Sequence, residues 1–597
     1  MDLPESVRAR LAPPVKLLQA GPWSALLVGD ELAHISYAQQ PVLRAVKAVV
    51  RDHDWCTIPP SLDTVEVSQH GDRLSVRWTV KYAGGGVKYA GSLTAYFTPE
   101  AVEISFDGKA VHAFRSNRIG LVVLHPPTDA GREITVEHSD KSKESTRFPV
   151  DISPHQPFMD IAALEWADAG TGFRLSFTGD VFETEDQRNW TDASFKTYST
   201  PLSRPFPLDV AAGDTVHQSV RLEASPSSPA DEAGVDIPSH GSTHDAGPIR
   251  IHANLGAAKG RVPALALEAG STAGNARAIP GLEAMLVELV EMPGSEPGEG
   301  WAAKLQTATD QAAASGAALD IRIVTSDPVS RLPDLARYLP QAIRLAAFHP
   351  VTHVTDPDSW QEFTRAARAA GFTGSFLAGA RSHFTELNRN SSRLPNTCDA
   401  LTFSVTPQMH STETAHIIES AAMQALTALN GRRLGAGKPL HIGPVTLLPR
   451  FNAVATSDEA SEASADELQN QPFTAAWTVA SVDALTQDGV ESITYYTASG
   501  PTGVTDAAGN FNPAGQVIKE LARLRNGTVL SVEMLTNLPV TVYPVIGPDG
   551  LVVLTANLTP STVELTIGNT ADLKAPPAPQ IILEPFTVGV LRLPFTS

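Results

Sequence analysis

The fold class is decided by three consecutive stretches: residues 282–290 (LEAMLVELV), 301–315 (WAAKLQTATDQAAAS) and 319–324 (LDIRIV). The first and third are short apolar runs of strand length, and the second has the length and pattern of a helix. Two parallel strands need a crossover connection, and a helix between them is the usual one. The stretch therefore predicts a parallel sheet covered by helices.

The alternation of strands and helices continues on both sides of this unit. Candidate strands begin at Ile249 (IRIHANL), Leu282, Leu319, Ala342 (AIRLAAF), Thr373 (TGSFLA), Ala400 (ALTFSV), Pro439 (PLHIGPVTLL) and Glu491 (ESITYY), with further helices at residues 358–371, 413–431 and 473–489. Eight β–α units over roughly 250 residues predict a (β/α)₈ TIM barrel. A doubly wound open sheet is the alternative, but no Gly-rich phosphate-binding turn follows the first strand.

The two ends of the chain have a different pattern. Residues 21–223 contain short alternating runs such as RLSVRWTVKYAG (73–84), which predict a large β-sandwich. Residues 225–248 are small, polar and Pro-rich, as linkers are, and short alternating strands follow the last helix. We therefore expect a β-sandwich at 1–224, a linker at 225–247, a TIM barrel at 248–527 and a small C-terminal β domain at 528–597.

Composition excludes several classes of partner. The 597 residues include 45 Lys and Arg against 65 Asp and Glu, for a formal net charge of −20. A chain this acidic repels phosphate backbones and anionic lipid, so neither nucleic acid nor membrane is expected as a partner. Cys56 and Cys398 cannot build a disulfide framework or a multi-cysteine metal site. With no apolar run of about 18 residues and no signal-peptide pattern, we expect a reduced cytoplasmic protein. The pattern does not determine its oligomeric state.

Barrel enzymes carry their active sites at the carboxyl ends of the strands. The polar residues in those positions are His349, His353 and Asp356 after strand four; His383, Thr385, Glu386 and Asn388 after strand five; Gln408, His410 and Glu413 after strand six; Arg450 and Asn452 after strand seven; and Tyr495 and Tyr496 in strand eight. Side chains alternate along a strand, so at most one of the two tyrosines is expected to line the barrel.

These strand ends do not match the many retaining glycosidases that combine a β-sandwich with a barrel, which carry one carboxylate after strand four and another after strand seven, about 5 Å apart. His349 and Arg450 occupy those ends instead, and Glu386 is the acid among the His, Arg, Asn and Tyr groups. One general base with cationic and hydrogen-bonding groups suits water attack on an ester or lactone. Glu386 could equally cap the helix that follows it. No His-Glu-x-x-His or Gly-x-Ser-x-Gly motif occurs, so a metal site would have to be assembled from separate loops.

The most unusual stretch lies in the predicted sandwich, at residues 177–202 (FTGDVFETEDQRNWTDASFKTYSTPL). It places Glu185, Asn189 and Lys196 among aromatic residues. Carboxylates and amides beside aromatic rings are typical of polyol recognition, because the former bind hydroxyls and the rings stack on C–H faces. A buried salt-bridged network is the structural alternative.

The segment FETEDQRNWTDASFKTY (182–198) resembles the signature of the D-apionolactonase, or D-apionate lactonase, family. RDHDWCTIPP (51–60), SNRIGLVVLHPP (116–127), FPVDISPHQPF (148–158) and, in the barrel, FTELNRN, PQMH, LLPRFN and ITYYTASGPTG also fit. The resemblance covers nearly the whole chain. It implies hydrolysis of D-apionolactone to D-apionate by a sandwich joined to a glycoside-hydrolase-like barrel, without a nucleotide cofactor.

Position and chemistry then suggest roles. We expect Glu386 to activate water, His410 or Arg450 to stabilise the oxyanion, and a nearby His to protonate the leaving ring oxygen. The expected substrate-binding residues are Glu185, Asn189, Lys196, His349, Asn452 and Tyr495, with no metal and no other cofactor. Two alternatives stay open: a glycosidase with carboxylates from unexpected places, for instance Glu185 and Glu386, and a non-catalytic carbohydrate-binding protein.

Overall fold

The computed structural model describes residues 3–226, 247–270, 276–292, 294, 296–455, 465–506, 508–568 and 578–594. The chain divides into two compact units. The first comprises Met1–Arg188, Ala193–Thr243 and Val454–Ser461, and the second comprises Asn189–Asp192, His244–Ala453 and Glu462–Ser597. The short segment Asn189–Asp192 thus groups with the second unit, unlike its neighbours in sequence. Most of the predicted linker lies outside the described residues.

The first unit is an antiparallel β domain that begins with a helix, Glu5–Leu11. Its strands are Val15–Ala20, Trp23–Val28, Glu31–Tyr37, Gln40–Asp52, Pro60–His70, Arg73–Gly84, Val87–Phe97, Ala101–Ala110, Phe114–His125, Glu133–His138, Lys143–Arg147, Phe158–Asp168, Thr171–Thr178, Phe182–Asp186, Phe195–Tyr198, Leu208–Val210 and Thr215–Pro226. They form one hydrogen-bonded sheet. Every second residue of Arg73–Gly84 is buried from Leu74 to Tyr82, and strands across the sheet share one apolar core. The predicted N-terminal β domain is confirmed.

The second unit contains a closed eight-stranded parallel barrel, as predicted. Its strands, one to eight, are Ala264–Glu268, Ala284–Val290, Ala318–Val324, Ala342–Phe348, Ser375–His383, Ala400–Ser404, Leu440–Val445 and Val490–Thr497. The helices are Trp301–Ser315, Leu332–Leu335, Pro357–Ala369, Phe384–Arg389, Thr414–Leu434, Pro472–Leu485 and Pro513–Arg523.

The prediction that the barrel begins with the strand at Ile249 is wrong. Ile249–Arg261 pairs with Val563–Gly568 and Thr528–Met534 in a C-terminal sheet. The order of that sheet is Gln580–Leu583, Val563–Gly568, Ile249–Arg261, Thr528–Met534, Val540–Gly547, Gly550–Asn557 and Thr587–Pro594. The physical reason lies in the burial pattern. Ile249–Arg261 alternates between buried and exposed residues over its first half, whereas the true first barrel strand, Ala264–Glu268, is buried at four consecutive positions. Barrel strands are covered on both faces and do not alternate.

The helix Pro472–Leu485 joins the barrel to this C-terminal sheet. It contacts the sheet strands Val540–Gly547, Gly550–Asn557 and Thr587–Pro594 as well as neighbouring barrel helices. Because it has neighbours on all sides, nearly every residue of it is buried, as expected of a helix that is apolar all round. In the described part of the chain, no helix is both long enough and apolar enough to cross a membrane.

A layer of paired charges lies inside the barrel below its mouth. Asp320 of strand three accepts hydrogen bonds from Arg322 of the same strand at 3.3 Å and from Arg344 of strand four at 3.0 Å. Arg322 also donates to the carbonyl oxygen of Gly443 on strand seven at 2.7 Å. Burial alone would raise the pKa of Asp320, but the two guanidinium charges outweigh it and hold that pKa at about 2. The layer ties strands three, four and seven together.

Replacing Asp320 by Asn should destabilise the barrel strongly. The substitution leaves Arg322 and Arg344 buried beside a neutral amide, and breaking a buried pair costs about 3–5 kcal/mol of unfolding free energy. Urea unfolding followed by tryptophan fluorescence measures the change. The matched control is Glu564→Gln, which removes the half-buried partner of the exposed Arg250 and should cost at most about 1 kcal/mol. Equal effects of the two substitutions would contradict a structural role for the buried layer.

Candidate active site

A second layer of paired charges lies at the carboxyl ends of the strands. Arg450, in the loop after strand seven, donates through one guanidinium nitrogen to Glu268 at the end of strand one, at 2.8 Å, and to Glu288 of strand two, at 2.9 Å. Arg381 of strand five also donates to Glu288, at 2.9 and 3.3 Å. The Arg381 guanidinium stacks 4.0 Å from the centre of the Phe451 ring. Two carboxylates and two guanidinium groups thus occupy the mouth of the barrel.

The two carboxyl groups of this layer have different electrostatic environments. Burial would raise the pKa of Glu288, but the charges of Arg450 and Arg381 hold it well below its usual range. Glu268 has Arg450 as its guanidinium partner, and burial, together with the nearby Glu288 charge, leaves its pKa raised. Glu288 is therefore a fixed anion, whereas Glu268 holds a proton more readily.

The sequence pattern did not reveal Glu268, Glu288 or Arg381 as site residues. A glutamate inside the apolar run LVELV was the available signal, because buried charges in proteins are almost always paired. The pattern could not identify the partners, since they come from strand five and from the loop after strand seven.

Strand six leads into a histidine that is paired with a carboxylate. Nδ1 of His410 lies 2.7 Å from Oδ2 of Asp192. The edge of the His410 ring meets Trp190 with 5.0 Å between ring centres. The amide of Asn388 donates to Oδ1 of Asn189 at 2.9 Å. Asn189–Asp192, which groups with the barrel unit, therefore supplies a carboxylate to a strand-end histidine.

Loop-to-loop hydrogen bonds fix the position of these groups. The carbonyl oxygen of Leu447, three residues before Arg450, accepts from Thr406 at 3.0 Å and from the Gln408 amide at 2.9 Å. Burial, together with the charges of His410 and Arg450, lowers the pKa of His383 to about 4. The hydrogen bonds to Leu447 join the loop that carries His410 to the loop that carries Arg450.

Glu386 lies at the start of the helix Phe384–Arg389 and acts as its N-terminal cap. Its Oε2 accepts hydrogen bonds from the Ser382 hydroxyl at 2.7 Å and from the backbone N–H of His383 at 2.9 Å. Burial raises the pKa of Glu386. These contacts match the structural alternative for this residue, that of a helix cap.

Glu185 and Lys196 lie in the first unit, on adjacent strands, and form an ion pair with each other. The Lys196 ammonium also lies 4.7 Å from the centre of the Tyr198 ring, and the Tyr198 hydroxyl donates to Glu183 at 2.5 Å. Both strands are almost wholly buried. The unusual motif thus forms a buried charged network in the first unit, while its Asn189 groups with the barrel.

Two further predicted residues lie in loops that follow barrel strands. Nδ1 of His349 accepts from the backbone N–H groups of Val351 and Thr352, at 3.2 and 3.4 Å, and so shapes the turn after strand four. Asn452 is half-buried in the loop that carries Arg450.

The structure contradicts the placement of Tyr495 in the pocket. Its hydroxyl shares a hydrogen bond with Ser481 of the helix Pro472–Leu485, at 2.8 Å, and the residue is fully buried. Tyr496 bonds to Thr478 of the same helix, also at 2.8 Å. The expected alternation fails because Tyr496 has a φ of +42°, which turns both rings toward the helix.

Two family models match this chain, and a named relative and several solved structures are similar to it. Models of the D-apionate lactonase N-terminal domain and of the D-apionate lactonase TIM barrel domain match residues 5–227 and 264–526. A Brucella anthropi protein named D-apionate lactonase is 28% identical over 532 residues, which cover 83% of this chain and 85% of the relative. A GH30 endoxylanase structure from Clostridium papyrosolvens C71 is similar over 57% of this chain and 98% of its own, at 10% identity and a TM-score of 0.36. The structure of a family 44 xyloglucanase from Paenibacillus polymyxa is similar over 58% of this chain and 100% of its own, at 9% identity and a TM-score of 0.38.

The family matches and the barrel make this protein a TIM-barrel hydrolase that acts on carboxylic esters of the cyclic, lactone type. The chain belongs to the D-apionate lactonase family, over both its N-terminal domain and its barrel. The resemblance seen in the sequence motifs is therefore confirmed.

Tyr495→Phe should affect stability and leave catalysis unchanged. The substitution removes one buried hydrogen bond to Ser481, which contributes about 1 kcal/mol to the free energy of unfolding. Thermal unfolding and kcat/KM for lactone hydrolysis measure the two effects separately. A tenfold fall in kcat/KM with an unchanged unfolding midpoint would contradict this and would support the predicted place of Tyr495 in the pocket.

Proposed function

We propose that the protein hydrolyses D-apionolactone, a branched-chain aldonolactone, to D-apionate in apiose catabolism. Membership of the family and the name of the Brucella anthropi relative support this substrate. The observation that carries the chemistry is the 2.7 Å contact between His410 and Asp192 at the carboxyl end of strand six. Neither Cys56 nor Cys398 is in a disulfide bond, which agrees with the reducing cytoplasm as the site of action.

His410 is the general base in this proposal. Asp192 accepts the hydrogen bond from the Nδ1–H of the imidazole, which fixes the tautomer in which Nε2 is the basic nitrogen. The activated water attacks the lactone carbonyl carbon. Asp192 also stabilises the imidazolium that forms, so it is a positioning residue for His410.

Arg450 is the oxyanion donor in this proposal. Its guanidinium binds Glu268 and Glu288 through NH2 and reaches Glu288 weakly through NH1, at 3.5 Å. No described residue accepts a hydrogen bond from its Nε–H, which therefore remains for the developing charge. Because the two carboxylates hold the guanidinium in place, it needs little reorganisation when that charge appears.

The remaining predicted residues are proposed to recognise substrate hydroxyls. Asn189 and its partner Asn388 present amide groups beside Trp190 in the barrel unit. His349 and Asn452 keep their predicted binding roles, and Glu386 remains the alternative base. The binding roles of Glu185 and Lys196 stay predictions, because these two residues pair with each other in the first unit.

A glycoside hydrolase is the second candidate, and one observation favours it. Glu268 and Glu288 both bind the same nitrogen of Arg450, so this barrel does hold two neighbouring carboxyl groups. Retaining glycosidases need such a pair about 5–5.5 Å apart. Release of p-nitrophenol from aryl glycosides, with no acid release from lactones, would establish this candidate.

Acid release from a panel of aldonolactones that includes D-apionolactone should identify the substrate. A pH-indicator assay, run with and without EDTA, should show hydrolysis selective for the branched lactone and unaffected by EDTA. Loss of activity with EDTA would still support a lactonase, but it would indicate that the histidines bind a metal ion. If no lactone is hydrolysed above its spontaneous rate, the proposed function is wrong.

Substitution of His410 and Glu386 should identify the base. His410→Ala should lower kcat on the preferred lactone about 10²–10⁴-fold, and added imidazole should restore part of it, which a purely structural residue would not allow. Asp192→Asn should lower kcat without preventing binding, because it no longer fixes the tautomer.

Glu386→Gln keeps an acceptor for the His383 N–H and should change kcat less than about threefold. A loss of two orders of magnitude in Glu386→Gln, together with a mild effect of His410→Ala, would instead assign the base to Glu386.

A further inference from the structure

We propose that Glu268 is the general acid that protonates the ring oxygen as it leaves the lactone carbonyl carbon. The inference rests on the proposed lactone hydrolysis and adds to it the residue that completes ring opening. Such a donor is needed because the ring oxygen of an aldonolactone would otherwise leave as a strongly basic alkoxide.

The position of Glu268 suits this role. It ends strand one, on the face of the barrel where such enzymes bind substrate. Its Oε1 accepts from Arg450 at 2.8 Å, and no described residue donates a hydrogen bond to its Oε2. The side chain is 16% exposed, so one carboxyl oxygen remains available at the mouth of the barrel.

Glu288 is the obvious competitor, and its contacts exclude it. Both of its oxygens accept hydrogen bonds from Arg381, and both also contact Arg450. Its side chain is 7% exposed. A carboxylate held by two guanidinium groups stays ionised and cannot donate a proton.

The surrounding charges also favour a protonated Glu268. Burial raises its pKa and the neighbouring Glu288 charge adds to the rise, while Arg450 and Arg322 oppose it, and the net direction is upward. The histidines nearby are poorer donors, since burial lowers the pKa values of His383 and His353 to about 4. Both imidazoles are therefore neutral at pH 7.

Each proton in the proposed ring opening has a defined source and destination. Water forms the new C–O bond while one of its protons passes to His410, and the resulting oxyanion is held by Arg450. When the intermediate collapses, the bond from the carbonyl carbon to the ring oxygen breaks, and that oxygen takes the proton of Glu268. The product acid ionises, the imidazolium proton returns to the Glu268 carboxylate through solvent, and one proton is released per turnover.

The dependence on the leaving group tests the proposal. Glu268→Gln should lower kcat for the preferred aldonolactone about 10²–10⁴-fold. Hydrolysis of the matching thiolactone should change less than about threefold, because a thiol of pKa near 8.5 leaves as thiolate without a proton donor. Glu288→Gln is the control: it loosens Arg381 and Arg450 and should slow both substrates equally.

Three outcomes would contradict the proposal. If Glu268→Gln lowers kcat equally on lactone and thiolactone, Glu268 only supports Arg450. If the kinetics of Glu268→Gln are unchanged, Glu268 takes no part in the reaction. If wild type accepts no thiolactone, the pH profile decides: the basic limb of kcat/KM on the lactone should disappear in Glu268→Gln, and its persistence would overturn the assignment. Wild type that hydrolyses no lactone at all would instead refute the proposed function.

Discussion

The interior of the barrel carries charge, and every such charge must have a partner because the closed sheet excludes bulk water. Two ionic layers satisfy this constraint. The lower layer is built around Asp320 and Arg322, each 1% exposed, and the upper layer is built around Arg450 and Glu268, at 15% and 16%. The two layers differ in exposure: the lower layer is fully buried and ties strands together, and the upper one is partly exposed at the mouth of the barrel.

The upper layer also explains the division of chemical roles at the strand ends. Glu288 neutralises Arg381 and Arg450 and orients them, so the site holds cationic hydrogen-bond donors without a large unpaired charge. In the proposed mechanism the Asp192–His410 pair supplies the opposite property, a group that accepts a proton. His383, whose pKa is lowered to about 4, adds no positive charge at pH 7.

Much of the fold was predictable because barrel strands are buried on both faces and appear as short apolar runs between helices. The exception was the first strand. Ala264–Glu268 has five residues and no flanking pattern, whereas the alternating Ile249–Arg261 satisfied the sequence criteria for a strand but pairs in the C-terminal sheet. Pairing partners are set by tertiary structure, which a local pattern does not contain.

The site was only partly predictable, for a related reason. Strand ends singled out two residues of the proposed site, His410 and Arg450, since position along the barrel is a local property. Asp192 lies 218 residues from His410 in sequence, and no spacing rule could join them. Glu268 was overlooked because the strand that it ends, Ala264–Glu268, was not recognised in the sequence.

Tyr495 was misplaced for a different reason. A left-handed backbone at Tyr496 broke the alternation of side chains along strand eight, and no glycine or other signal marks such a break.

The most direct test is a crystal structure of the protein with D-apionate bound. The catalytic roles given to His410 and Arg450 require the product carboxylate to lie within about 3.2 Å of a nitrogen of each, with the hydroxyl released from the ring facing Glu268. A product that binds away from these three side chains, with its carboxylate held by other groups, would contradict the proposed site.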